Sequence, residues 1–177
     1  METETQSIFA VIKKRLSWLI LGLVTSVLLS KFISVFEETL EKNIIMITFV
    51  PMIVYLADAI GTQMESIIIR DFAKQKKFRL LPFLIRQTQI VSVIGLVLSL
   101  LAYGTSYVLY QQHKVSMGLG ISIFISSFTA LISGSIIPYF FWKLHEDPAE
   151  ASGPIATVVQ DSLSIMIYFA VFSLLVI

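Results

Sequence analysis

The chain has 177 residues, of which 56% are hydrophobic and only 14% charged, with a net charge of +1 and a mean hydropathy of +0.84. That balance excludes an ordinary soluble domain and leaves room for one membrane-embedded domain and little else. The absence of cysteine removes disulfides, thiolate metal sites and cysteine nucleophiles, and the chain carries no nucleic-acid-binding signature.

Residues 1–15 are polar and end in the basic cluster Lys13, Lys14, Arg15. The apolar run that follows is too long, and lacks the small-residue site, for a cleavable signal peptide. Ile8, Phe9, Val11 and Ile12 beside these cations suit either a short helix lying on the membrane surface or an ordinary basic flank to the first span. Residues 16–177 then read as a single all-α, five-helix membrane domain. The expected spans run from about Leu16 to Phe36, Ile44 to Phe72, Leu84 to Tyr110, Met117 to Trp142, and Ile155 to the carboxyl end. Each exceeds the roughly 20 residues that cross about 30 Å of hydrocarbon. The connections are EETLEKN, KQKKFRLLPFLIR, QQHKVS and HEDPAEASGP.

Five spans put the termini on opposite sides. Of the 13 lysines and arginines, all but Lys31, Lys42 and Lys114 fall on one side. The positive-inside rule makes that side cytoplasmic, with the amino terminus inside and the carboxyl terminus outside. Lys31, about one turn inside the outer end of the first span, can snorkel. The first outer connection then displays Glu37, Glu38 and Glu41, a cluster suited to attracting cations.

Two apolar runs carry residues that hydrocarbon tolerates poorly. The second span, PMIVYLADAIGTQMESIIIR, holds Asp58, Gly61, Thr62, Gln63 and Glu65, and the fifth holds Asp161. A carboxylate at bilayer mid-depth costs roughly 2.5–3.5 kcal/mol, so it ordinarily faces water or a partner. No lysine or arginine lies at similar depth to neutralise either aspartate. Asp161 is expected about 13 Å from the inner end of its span, a depth comparable with that of Asp58. Asp58, Thr62 and Glu65 follow spacings of four and three, which predicts a column of oxygen groups on one helix face. Glu65 equally suits pairing with a basic residue nearer the boundary. Thr157, one turn before Asp161, joins these four as a candidate ligand.

Oxygen-only donors suit hard cations, because His113 and His145 fall in the connections and no thiol exists. Magnesium keeps most of its water shell and needs only one or two carboxylates. Five spans offer little room for an aqueous path within one chain, whereas pairing two chains doubles every carboxylate at a shared axis.

The stretch RLSWLILGLVTSVLLSKFISVFEETLEKNIIMITFVPMIVYLADAIGTQMESIIIRDFA resembles the first two spans of the MgtE magnesium channels, and EDPAEASGPIATVVQDSLSIMIYF resembles their last. The third and fourth spans are similar in hydropathy and length alone. The resemblance implies a multi-pass protein of the plasma or inner membrane, a homodimer with a pore along its axis lined by the second and fifth helices, and Asp161 as the central Mg2+-binding carboxylate. The second span departs from the family pattern, which reads GGN ahead of the glycine of GxQ where this chain has Ala57, Asp58 and Ala59. One helix position is a rotation of about 100°, so Asp58 does not stand where the family's asparagine amide would. Met64 and Glu65 also replace small polar residues of that pattern.

A cation-coupled secondary transporter, or an exporter of another divalent metal such as Mn2+ or Co2+, is the alternative transport reading. An enzyme is not expected, since HExxH, a nucleophile elbow and GxGD around either aspartate are all missing. Longer family members carry cytosolic magnesium-sensing modules that residues 1–15, with only Glu2 and Glu4 as acidic groups, do not encode. Transport by this chain is therefore expected to persist as internal magnesium rises through the millimolar range, because closure needs a differential affinity that those modules provide. Flux into liposomes preloaded with graded internal magnesium, corrected for driving force, checks this; steep cooperative inhibition of the purified protein would reveal an intrinsic sensor.

Overall fold

The computed structural model describes residues 7–36, 44–74 and 78–175, which form five α-helices: α1 Ile8–Ser34, α2 Ile44–Lys74, α3 Leu80–Tyr110, α4 His113–Lys143 and α5 Pro148–Leu175. At 1.5 Å per residue they are about 40–47 Å long, enough to cross the hydrocarbon and reach past it at both ends. All five contain a stretch apolar enough to span a membrane, as expected of a multi-pass membrane protein. Glu2, Glu4, Glu37, Glu38, Glu41, Lys42, Lys76 and Lys77 lie outside the described residues.

Two helices start earlier than the hydropathy implies. α1 is continuous from Ile8, so the basic cluster lies on its first turns and the boundary expected at residue 16 falls inside the helix. α5 starts at Pro148, where the missing N–H of proline costs nothing in the first turn. The Asp147 carboxylate accepts the Ala149 N–H at 2.9 Å, the bond expected of a residue capping a helix N-terminus. Most of HEDPAEASGP is thereby helical, and the chain reverses through Leu144–Asp147 with His145 at φ +62°. Asp161 lies 13 residues, roughly 20 Å, from the start of this longer helix, and nine residues, about 13 Å, past Ser152, where its membrane-spanning stretch begins.

α4 occupies the centre, packed on α2, α3 and α5, while α1 packs chiefly on α5. The reason lies in side-chain size. The buried face of α4 includes Gly118, Gly120, Ser122, Ser126, Ser127, Ala130, Ser133, Gly134 and Ser135, small groups that let neighbouring backbones approach. Many of these hydroxyls bond back to their own helix, as Ser122 does to the Gly118 carbonyl at 2.7 Å and Ser127 to the Ile123 carbonyl at 2.8 Å. α1 by contrast exposes Leu19, Leu23 and Leu28, a surface suited to lipid.

Two apolar clusters hold the bundle together, the first chiefly α2, α4 and α5 and the second α2, α3 and α4. Toward the α2 amino-terminal end, Met46, Phe49 and Ile53 meet Leu119, Ile123, Tyr168 and Phe172, and the buried Tyr168 hydroxyl donates to the Met46 carbonyl at 2.8 Å. Past the middle of α2, Ala57, Ile60 and Met64 pack with Val91, Ala130 and Leu131. The closest backbone approach of α2 and α4 lies beside the second cluster. A methyl group on Gly134 would fall 3.0 Å from the Gly61 Cα and still closer to its carbonyl oxygen.

Gly134→Ala is accordingly expected to force α2 and α4 apart and to cost about 1–3 kcal/mol, the range for overpacking. Gly104→Ala, whose added methyl would meet no atom within 4 Å, is expected to leave stability unchanged or slightly raised. Thermal unfolding of the two purified variants checks the contrast; equal melting temperatures would contradict it.

Candidate cation-binding groove

Asp58 lies at the midpoint of α2, on a groove of about 500 Å3 lined by Asp58, Ala59, Thr62, Gln63, Ser66 and Ile67. At about 100° per residue, these six span half of the helix circumference, with Asp58 at one edge and Ala59 and Ser66 near the middle. Thr62, Gln63 and Ser66 are exposed on the surface of the single chain, and Asp58 is half-buried.

The edge marked by Asp58 is the one nearest α5. Thr157 donates its hydroxyl to the Asp58 carboxylate at 3.3 Å, linking the two helices at this level. Thr157 is one turn before Asp161 on α5, so this bond sets the two aspartates at neighbouring levels, which the sequence alone did not establish. Asp161 itself is half-buried behind the groove, and one of its carboxylate oxygens is fully buried without a hydrogen-bond partner.

Glu65 departs from the expected column. It lies about 20° beyond Asp58 on the side away from the groove, where it accepts the hydroxyl hydrogen of the buried Ser152 on α5. Among the described residues its partner is thus Ser152, and neither the groove nor a basic side chain. Ser66, at the next position, takes the place in the column that the three-residue step had assigned to Glu65. The signal for Ser66 was its spacing of four from Thr62.

A second residue missed from sequence is Gln160. It is only 2% exposed, and its amide packs directly over the Cα of Gly61. Its side-chain oxygen has no hydrogen-bond partner. Only a glycine at position 61 admits the amide there, so Gln160 fixes the spacing of α5 on α2 while the next residue, Asp161, faces toward Asp58.

Among the described residues no three His, Asp or Glu side chains converge on one point, so one chain offers no closed metal cage. His113 lies apart from the groove, at the first residue of α4, bonded through Nδ1 to the Tyr103 hydroxyl at 3.0 Å. What the groove offers is carboxylate charge and neutral oxygen donors around a wet volume. Six waters at about 30 Å3 each occupy roughly 180 Å3, so a fully hydrated magnesium ion fits within it.

Residues 50–171 match the MgtE family, described as divalent cation transporters. The magnesium transporter MgtE of Bacillus subtilis is 32% identical over 160 residues, an alignment covering 89% of this chain and 36% of the relative. That of Enterococcus faecalis is 31% identical over 169 residues, covering 91% and 36%. That of Thermus thermophilus is 26% identical over 166 residues, with the same coverage. The chain thus spans about a third of the length of the curated relatives it matches. With the family pattern running from the second turn of α2 almost to the end of α5, and so including the whole of the α2 groove, the chain belongs to the MgtE family of divalent cation transporters.

Proposed function

We propose that two copies of the chain pair with their α2 grooves facing one another, and that hydrated divalent cations, magnesium foremost, cross the membrane between them. The observation that carries this reading is the exposure of Thr62, Gln63 and Ser66, beside Asp58, halfway along a membrane-spanning helix. Hydrocarbon contact with such a face is costly, whereas a second groove laid against it encloses water instead. The pairing is isologous, so each carboxylate recurs across a two-fold axis.

In this arrangement the ion supplies what the chain lacks. Asp58 and Asp161 repel one another in each copy, and a divalent cation between the copies relieves that repulsion. Binding acts through water, with Asp161 as the main anionic ligand, and Thr157 and Thr62 as hydrogen-bonding groups for the hydration shell. Because the middle of the groove carries the Ala59 methyl group and the neutral Ser66 hydroxyl, the ion is held by charge rather than by a close-fitting cage. Such binding is weak enough to permit release, as conduction requires. Glu65 contributes its charge from behind the α2–α5 contact rather than as a direct ligand. The family names magnesium and divalent cations, which agrees with this oxygen-only donor set. The chain works on this reading as a transporter and not as an enzyme, in the plasma or inner membrane, with its amino terminus cytoplasmic.

Flux into liposomes, followed with a magnesium-sensitive dye inside them, tests the reading. Asp161→Ala and Asp161→Asn are expected to lower flux at least about tenfold without loss of folded protein, since removing a buried carboxylate lowers the cost of membrane burial. Asp58→Asn is expected to weaken binding and to change the order of preference among divalent ions. Normal flux in Asp161→Ala would overturn the assignment, and unchanged affinity and preference in Asp58→Asn would reduce that aspartate to a structural role.

A further inference from the structure

A cavity of about 420 Å3 opens at the Lys/Arg-rich end of the bundle, about one helical turn beyond the α2 groove, between the end of α2 and the start of α3. Its walls include Arg79, Pro82, Phe83 and Arg86, which follow the spacing i, i+3, i+4, i+7 and therefore form one stripe on α3. Phe78 and Asp71 close the opposite side, and the buried Gln87 side chain, 7% exposed, also faces in. The charged groups on the cavity are thus two guanidiniums and one carboxylate. That carboxylate is already shared with Arg70, whose Nε lies 3.8 Å from it. Among the described residues neither Arg79 nor Arg86 forms an ion pair.

The level of the cavity is set by its aromatic neighbours. Phe72 stacks on Trp142 with ring centroids 4.9 Å apart, Phe78 meets Phe72 edge-on at 4.9 Å, and Tyr139 lies 6.3 Å from Phe78. Tryptophan and tyrosine concentrate where the hydrocarbon gives way to headgroups. The apolar side chains of Phe78, Pro82 and Phe83, set beside two guanidiniums at that level, match a molecule with a phosphate at one end and hydrocarbon at the other. Guanidinium is the side chain best shaped for phosphate oxygens.

We propose that this cavity is a phospholipid site, in which Arg79 and Arg86 hold the phosphate of an anionic headgroup while Phe78, Pro82 and Phe83 contact its glycerol and upper acyl chain. The net positive balance of the walls favours phosphatidylglycerol over a zwitterionic lipid. A lipid seated there would bridge the start of α3 and the carboxyl-terminal end of α2, the helix that carries the groove.

Native mass spectrometry of the purified protein, titrated with phosphatidylglycerol or phosphatidylcholine, tests the site. The expected result is preferential retention of phosphatidylglycerol, weakened about tenfold or more in the Arg79→Gln/Arg86→Gln double variant. Lys74→Gln/Lys143→Gln removes the same charge from exposed positions outside the cavity and is expected to change retention little. Asp71→Asn, which removes the negative wall charge found among the described residues, is expected to tighten it. Equal loss in both double variants would mean general attraction to a basic surface and overturn the proposal, as would undiminished retention in Arg79→Gln/Arg86→Gln. Inorganic phosphate is the soluble arm: if it displaces phosphatidylglycerol at low millimolar concentration, the ligand is a free anion and the lipid assignment fails.

Discussion

At Gly61 three helices come as close as their backbones allow. Gly134 of α4 lies against its carbonyl on one side, and the Gln160 amide of α5 rests on its Cα on the other. In a bilayer the hydrophobic effect does little to draw helices together, so close packing of small residues has to supply most of the attraction. That contact fixes the position of α5 relative to α2, and with it the distance between Asp58, one turn before Gly61, and Asp161, the residue after Gln160. A side chain of any size at position 61 would separate the helices that hold the two carboxylates. The charge arrangement of the groove thus depends on the absence of a methyl group.

The same packing accounts for the surface left outside. With α4 taking the central position and burying its small-residue face, α2 turns its apolar positions Ile53, Ala57, Ile60, Met64 and Ile68 inward. Asp58, Thr62, Gln63 and Ser66 are then left on the outside of a single chain. A buried polar network would have rigidified the bundle, whereas an outward polar face makes the isolated chain poorly suited to lipid and ready to pair. Folding energy and the proposed function are linked here: the inward apolar stripe that stabilises α2 is what turns its polar face outward, where the proposed second copy would lie.

The number of helices and their approximate extents were legible in the sequence because hydropathy reports length directly. Helix starts were less so, since the Asp147–Pro148 start of α5 is written in capping chemistry that hydropathy ignores. Asp58 and Asp161 stood out because an unpaired carboxylate in an apolar run has few innocent explanations. Side-chain direction was harder to read. Spacings of three and four both return to roughly the same helix face, so Glu65 and Ser66 were equally eligible for the third place in the column. Only the position of Ser152 on α5 decided between them. The central role of α4 and the buried place of Gln160 depend on which helices meet, and one chain's periodicity does not encode that.

The central claim is that the α2 groove faces its own copy across a two-fold axis. The chain contains no cysteine, so single thiols can be placed without altering a background. A path wide enough for a hydrated ion keeps facing residues out of direct contact, which makes a short thiol-to-thiol cross-linker a better probe than a disulfide. Cross-linking in native membranes of Thr62→Cys or Ser66→Cys should yield a covalent dimer, and that of Val108→Cys, on the outer surface of α3, should not. A dimer from Val108→Cys with only monomer from both groove positions would contradict the account.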